Sequence, residues 1–198
     1  MFTGSGISAA LLLSLLVPAA ASAQTAADRP SVVLFANGGG NSTVTDLNDA
    51  GTASLKTGWT AGGGIGWQIN PFLAVRGTFD FARAEGDGAA NAFNGQKFNQ
   101  YFYGGDVQLR YPTASGFAPY LLLGAGAVTI DNVDNATFDS FTKLAGKGGL
   151  GVEYVPPGSN LGFFAQAASH IYHFDRNGFD KTQADVLWTA GLSYRLPY

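Results

Sequence analysis

The chain of 198 residues has room for one domain, and only 13% of its residues are charged, against 28 glycines and 13% aromatics. A soluble domain carries about 25% charged residues, so the composition excludes an ordinary water-covered exterior. The balance of 11 basic and 14 acidic residues excludes nucleic acid as a partner, and the absence of cysteine excludes a disulfide framework and thiolate metal sites.

Residues 7–17 form an apolar run, followed by Pro18 and small residues ending in Ala21, Ser22 and Ala23. This is the h-region and cleavage site of a secretory signal, too short for a transmembrane helix. Residues 1–10 contain no Lys or Arg, so the usual basic n-region is missing. The organisation read from these signals is a signal peptide over 1–23, a short periplasmic segment over 24–30, and one barrel domain over 31–198.

After Val17 no stretch is long and apolar enough for a membrane helix, so any span must be made of strands. Period-two alternation marks them. Over 56–69, Trp59, Ala61, Ile65, Trp67 and Ile69 alternate with Gly58, Thr60, Gly62, Gly64, Gly66 and Gln68. Over 72–81, Leu73, Val75, Phe79 and Phe81 alternate with Ala74, Arg76, Thr78 and Asp80. Over 100–111, Tyr101, Tyr103, Val107, Leu109 and Tyr111 alternate with Gly104, Asp106, Gln108 and Arg110. In the last strand Val186, Trp188, Ala190, Leu192, Tyr194, Leu196 and Tyr198 share one face, opposite Thr189, Gly191, Ser193, Arg195 and Pro197. Weaker strands over 31–40, 118–128, 141–155 and 161–174 bring the total to about eight, the number of a small closed barrel.

The connections alternate in length. Residues 70–71, 112–116 and 156–160 are tight turns rich in Pro, Gly, Ser and Asn. Residues 41–54, 84–98, 129–140 and 175–184 read as longer polar loops. Strands joined this way run up and down, with short turns at one end and long loops at the other.

A soluble up-and-down barrel turns its apolar face inward, so the position of the aromatics decides between the two arrangements. Trp67, Tyr111, Tyr154 and Tyr198 lie near the short-turn ends of their strands, and Trp59, Tyr101 and Trp188 lie eight to ten positions higher on the same apolar face. Ten residues at about 3.3 Å each and a tilt of about 40° rise about 25 Å, the height of the apolar band of a membrane barrel between its aromatic girdles. The apolar face is therefore read as outward. The other face carries Gly, Ser, Thr and Gln with charges of both signs: Arg76, Asp80, Asp106, Arg110, Lys147, Glu153 and Arg195. These are read as structural charges filling a narrow lumen. Arg76 and Asp106, on adjacent strands at similar height, are the first candidates for an interior ion pair.

On these strands the mature chain resembles the small outer-membrane β-barrels of the OmpA and OmpX type. The resemblance is carried by PYLLLGAGAV (119–128), GLGVEY (149–154), RGTFDF (76–81) and the closing LSYRLPY (192–198). It implies an eight-stranded antiparallel up-and-down transmembrane barrel in the outer membrane of a Gram-negative bacterium, in contact with its lipids. It also implies that the terminal strand, ending in Tyr198 after Tyr194 and Leu192, is read by the outer-membrane assembly machinery. Pro197 departs from that pattern and removes a backbone donor near the strand end.

For function, the leading expectation is a monomeric membrane anchor that presents its loops to a surface ligand of unspecified kind, with no cofactor and no catalysis. A narrow channel along the inward glycines Gly58, Gly62, Gly64 and Gly66 is the alternative. A lipid-modifying enzyme is least supported. His170 and Ser169 are adjacent and so point to opposite faces, and in barrel-type lipid A deacylases a Ser follows the His by two residues, where this chain has Tyr172. The run Asp131, Asp134, Asp139 offers oxygen ligands but lacks the frame of a calcium loop.

Overall fold

The computed structural model describes residues 30–45, 53–88, 94–134, 140–176 and 179–196. The expected leader over 1–23, nearly all of segment 24–30, and Asp139, Pro197 and Tyr198 lie outside the described residues.

Nine strands occur in chain order: β1 (Ser31–Thr43), β2 (Ala53–Leu55), β3 (Gly58–Asn70), β4 (Leu73–Gly88), β5 (Lys97–Arg110), β6 (Phe117–Asn132), β7 (Phe141–Tyr154), β8 (Leu161–Arg176) and β9 (Phe179–Arg195). The short β2 pairs with the top of β4, Ala53 opposite Gly88 and Leu55 opposite Gly86. It continues upward the position that β3 occupies lower down, so nine strands make eight staves. Each long strand pairs antiparallel with its neighbours in sequence, and β1 pairs with β9, from Val33 opposite Arg195 to Thr43 opposite Asp185. The sheet is a closed barrel. Closure leaves the membrane-embedded wall without a free edge, the condition for crossing lipid with strands.

The short connections are tight turns. Asn70 Oδ1 accepts from the Phe72 amide at 2.9 Å. Gly116 and Gly158 hold positive φ of 88° and 78° in the other two, a backbone region that residues with a Cβ rarely adopt. All four expected long loops are shorter than read: β1 runs to Thr43 and β2 begins at Ala53, both within 41–54. β4 and β5 extend into 84–98, β6 runs to Asn132, and β8 and β9 reach Arg176 and Phe179, which pair with each other. Of the loop expected over 175–184, residues 175–176 and 179–184 are thus paired strand. The reason is a change of polarity: above the upper aromatics polar side chains such as Arg83, Glu85, Lys97 and Asn99 take outward positions while apolar ones such as Ala82, Ala84 and Phe98 turn inward beside the buried Asp185 and Gln183, so alternation with an apolar outer face ends while the strands continue.

The outer face of the lower barrel is apolar, with Leu34, Ile65, Val75, Phe79, Leu109, Leu121, Leu123, Leu150, Phe163 and Leu192 all exposed. Patches of that size are foreign to water-soluble monomers and fit lipid.

Candidate functional site

The lumen is where the chain concentrates its chemistry, because inward alternation from eight staves brings side chains distant in sequence to one height. They form three polar tiers separated by apolar side chains.

The lowest tier, at the short-turn end, is centred on Glu153 of β7. Its Oε2 accepts from Arg110 Nη2 at 2.5 Å and Arg195 Nη2 at 3.0 Å, and its Oε1 accepts from the Ser193 hydroxyl at 2.6 Å. Arg195 Nε also points to Gln68 Oε1 at 3.4 Å. The middle tier is centred on Asp106 of β5. It accepts from Arg76 Nε at 2.7 Å and Nη2 at 3.3 Å, and from Lys147 Nζ at 2.7 Å. Lys147 also donates to the Thr78 hydroxyl at 3.3 Å, and Asp80 accepts from Asn37 Nδ2 at 3.1 Å. Asp106 and Glu153 therefore each hold two basic groups. Removing either carboxylate would strand buried cations, the costly way to break a buried ion pair.

The upper tier is centred on Asp185 of β9. Asp185 is fully buried and is held by neutral donors: Thr43 Oγ1 at 2.5 Å, Tyr172 OH at 2.7 Å and Gln100 Nε2 at 3.2 Å. Gln100 in turn accepts from Asn41 Nδ2 at 2.5 Å.

Large side chains fill the space between tiers. Phe35 and Phe164 meet edge to face with centroids 6.2 Å apart, and the Arg76 guanidinium lies 5.1 Å from the Phe35 ring centre. The inward glycines make room for them. A Cβ on Gly64 would lie 2.6 Å from Phe35 Cζ, and one on Gly151 would lie 2.5 Å from the Tyr120 ring. Higher up, Phe102, Val128, Ala145 and Leu187 are joined by Ala82, Ala84, Phe98, Ile130, Phe141 and the Leu55 cap from β2 in one buried apolar cluster. This corrects the expectation of a lumen lined by small and polar residues: the lower half is polar, and the upper half sets a bulky apolar cluster beside the buried polar side chains Asn41, Gln100, Gln183 and Asp185.

All seven charges assigned to the lumen, Arg76, Asp80, Asp106, Arg110, Lys147, Glu153 and Arg195, point inward and are buried. Among the expected girdle residues, Trp59, Trp67, Tyr111 and Trp188 are exposed on the outer face. Tyr101 and Tyr154 share that face, half-buried. Trp59, Phe81 and Tyr101 touch in sequence around the upper ring, with centroids 5.2 and 5.3 Å apart, and Phe117 and Tyr154 touch in the lower ring at 4.6 Å.

Sequence reasoning missed the Asp185 network. Asp185 keeps the inward phase of Leu187 and Thr189, and a strand begun one residue earlier would have included it. Ser169 and His170 lie on opposite faces; His170 is buried against Phe102, with ring centroids 4.5 Å apart. Asp134 is engaged in its own turn, accepting from the Lys97 amide at 2.8 Å, while its amide donates to Asn132 Oδ1 at 3.0 Å.

Set against known proteins, the sequence matches the family described as outer membrane protein beta-barrel domain over residues 9–195. A search of curated proteins returns no match. Among solved structures, Neisserial surface protein A is similar at 15% identity and TM-score 0.60, covering 83% of this chain and 97% of that one. Ail, the attachment invasion locus protein of Yersinia pestis, is similar at 17% identity and TM-score 0.51, covering 85% and 100%. The outer membrane protein AlkL in lipid bilayers is similar at 15% identity and TM-score 0.52, covering 92% and 96%. At these identities the likeness is one of fold.

Proposed function

We propose a role from one premise: the chain belongs to the outer membrane protein beta-barrel domain family, the transmembrane barrels of the Gram-negative outer membrane. Within that family the reading best supported is a monomeric anchor whose barrel holds a rigid platform above the membrane, and whose loops on that platform engage a surface ligand.

The observation that carries this reading is how the lumen is used. Side chains from facing walls interlock through three tiers, and of the glycines that suggested a narrow passage Gly64 lies against Phe35, Gly62 against Asp80 and Gly66 against Arg76. Material invested in a solid interior serves stiffness rather than flow. Loops on a rigid scaffold are where recognition resides. That two neighbours of the same fold are named for the cell surface and for attachment agrees with this reading. The closing strand, with Tyr194 and Leu192 on its outer face, is assigned to docking with the assembly machinery.

Single-channel recording tests the proposal. The protein refolded into planar bilayers should give no discrete conductance steps, and an epitope inserted between Asn94 and Gly95 should be stained on intact cells. Steady channel openings by the unmodified protein would replace the anchor with the narrow channel; an unstained epitope would remove the surface platform.

A further inference from the structure

The lower tier leaves charge unpaired. Two arginines, Arg110 and Arg195, converge on the single carboxylate of Glu153, whereas the middle tier sets Arg76 and Lys147 against Asp106 and Asp80. Among the described residues, one positive charge therefore remains at the short-turn end of the lumen. The donors there are also incompletely used: Arg110 Nε, Arg195 Nη1 and the Ser31 hydroxyl are buried without a hydrogen-bonding partner. Arg110 and Arg195 are 7% and 5% exposed, so bulk water does not serve these groups, and each buried donor left unsatisfied is costly. Two cavities adjoin the pair. One, of about 30 Å³, lies inside the lumen; its polar lining is Arg76, Arg110, Arg195, Gln108, Gln68, Tyr120 and Ser193, with the Glu153 carboxylate already shared by Arg110 and Arg195. The other lies at the periplasmic mouth beside Pro112 and Pro156 and is bounded by the same two arginines. Excess positive charge, unused N–H donors on both guanidinium groups and cavities on which both arginines border converge at one place.

We infer that the periplasmic end of the lumen binds a small monovalent anion of chloride size between Arg110 and Arg195. The ion completes the tier electrically and takes up the N–H donors that Glu153 does not reach. A site of this volume selects by size: halides enter, and a polyhydroxy carboxylate such as gluconate is too large.

Bromide is the probe, because it scatters anomalously and replaces chloride. Crystals of the full barrel grown in sodium bromide should show an anomalous peak within hydrogen-bonding reach of Arg110 Nε and Arg195 Nη1. In solution, a ligand that binds only the folded state raises stability with the logarithm of its concentration. The urea midpoint should therefore climb with bromide when gluconate balances the ionic strength. Gln108→Glu places a carboxylate in the same cavity. It should raise the midpoint in gluconate and flatten the response to bromide. No anomalous peak at the arginines, together with equal midpoints in bromide and gluconate, would overturn the inference and assign the cavity to water. Should Gln108→Glu fail to fold, the peak and the salt response of the unmodified protein decide alone.

Discussion

Strand β5 reads differently on either side of Tyr101. Below it, Tyr103, Val107 and Leu109 face outward while Asp106, Gln108 and Arg110 face the lumen; above it, Asn99 and Lys97 face outward and Phe98 faces in. Strand β4 repeats the change at Phe81, with Val75 and Phe79 outside and Arg76 and Asp80 inside below, and Arg83 and Glu85 outside and Ala82 and Ala84 inside above. The lower barrel is apolar outside and polar within. The upper barrel, which β4 carries roughly 18 Å beyond the ring, is built like a water-soluble protein. Backbone, pleat and hydrogen bonding continue unbroken through the change, so the solvent on the far side of the wall decides which side chains each half uses.

The largest effect should come from the lower half. Glu153→Gln leaves Arg110 and Arg195 buried without their carboxylate and should cost about 3 to 5 kcal/mol, measured by urea unfolding of barrels refolded in lipid vesicles. In the upper half the equivalent injury is a cavity. Leu187→Ala, at a side chain 3% exposed, should cost about 2 to 5 kcal/mol, and a loss like that of an exposed site would deny the upper barrel a packed core. The next pair probes the outer face of one strand. Val107→Arg puts a charge at mid-depth in lipid and should cost about 2 to 4 kcal/mol, whereas Asn99→Arg, above the ring, should cost no more than about 1 kcal/mol. Equal costs at the two positions would mean that the membrane boundary does not lie at Tyr101.

The same boundary governed what could be read from the sequence. Residues such as Trp59, Val75 and Leu109 announced their strands because lipid demands a bulky apolar side chain at every second position. Once the outer solvent became water that demand lapsed, and residues 84–88, 97–98 and 179–184 resembled loops although they are strand. The lumen was legible by neighbourhood only. Arg76 and Asp106 sit opposite each other on paired strands, and their equal height above the turns was visible. Glu153 meets Arg110 and Arg195 across the lumen, from β7 to β5 and β9, strands that do not pair with it. Such meetings depend on how far the sheet shears before it closes, which alternation does not encode.

Closure of the barrel also dictates an order of events. Val33 pairs with Arg195, roughly 160 positions away, while Tyr154 pairs with Phe163, about nine away; that is about four doublings of the enclosed chain and ~2.5 kcal/mol more loop entropy. The seam between first and last strand is therefore the slowest junction to make and the natural last act of folding. Until it forms, β1 and β9 both expose open edges, so a barrel halted one step short of completion carries the same adhesive hazard as any unpaired strand.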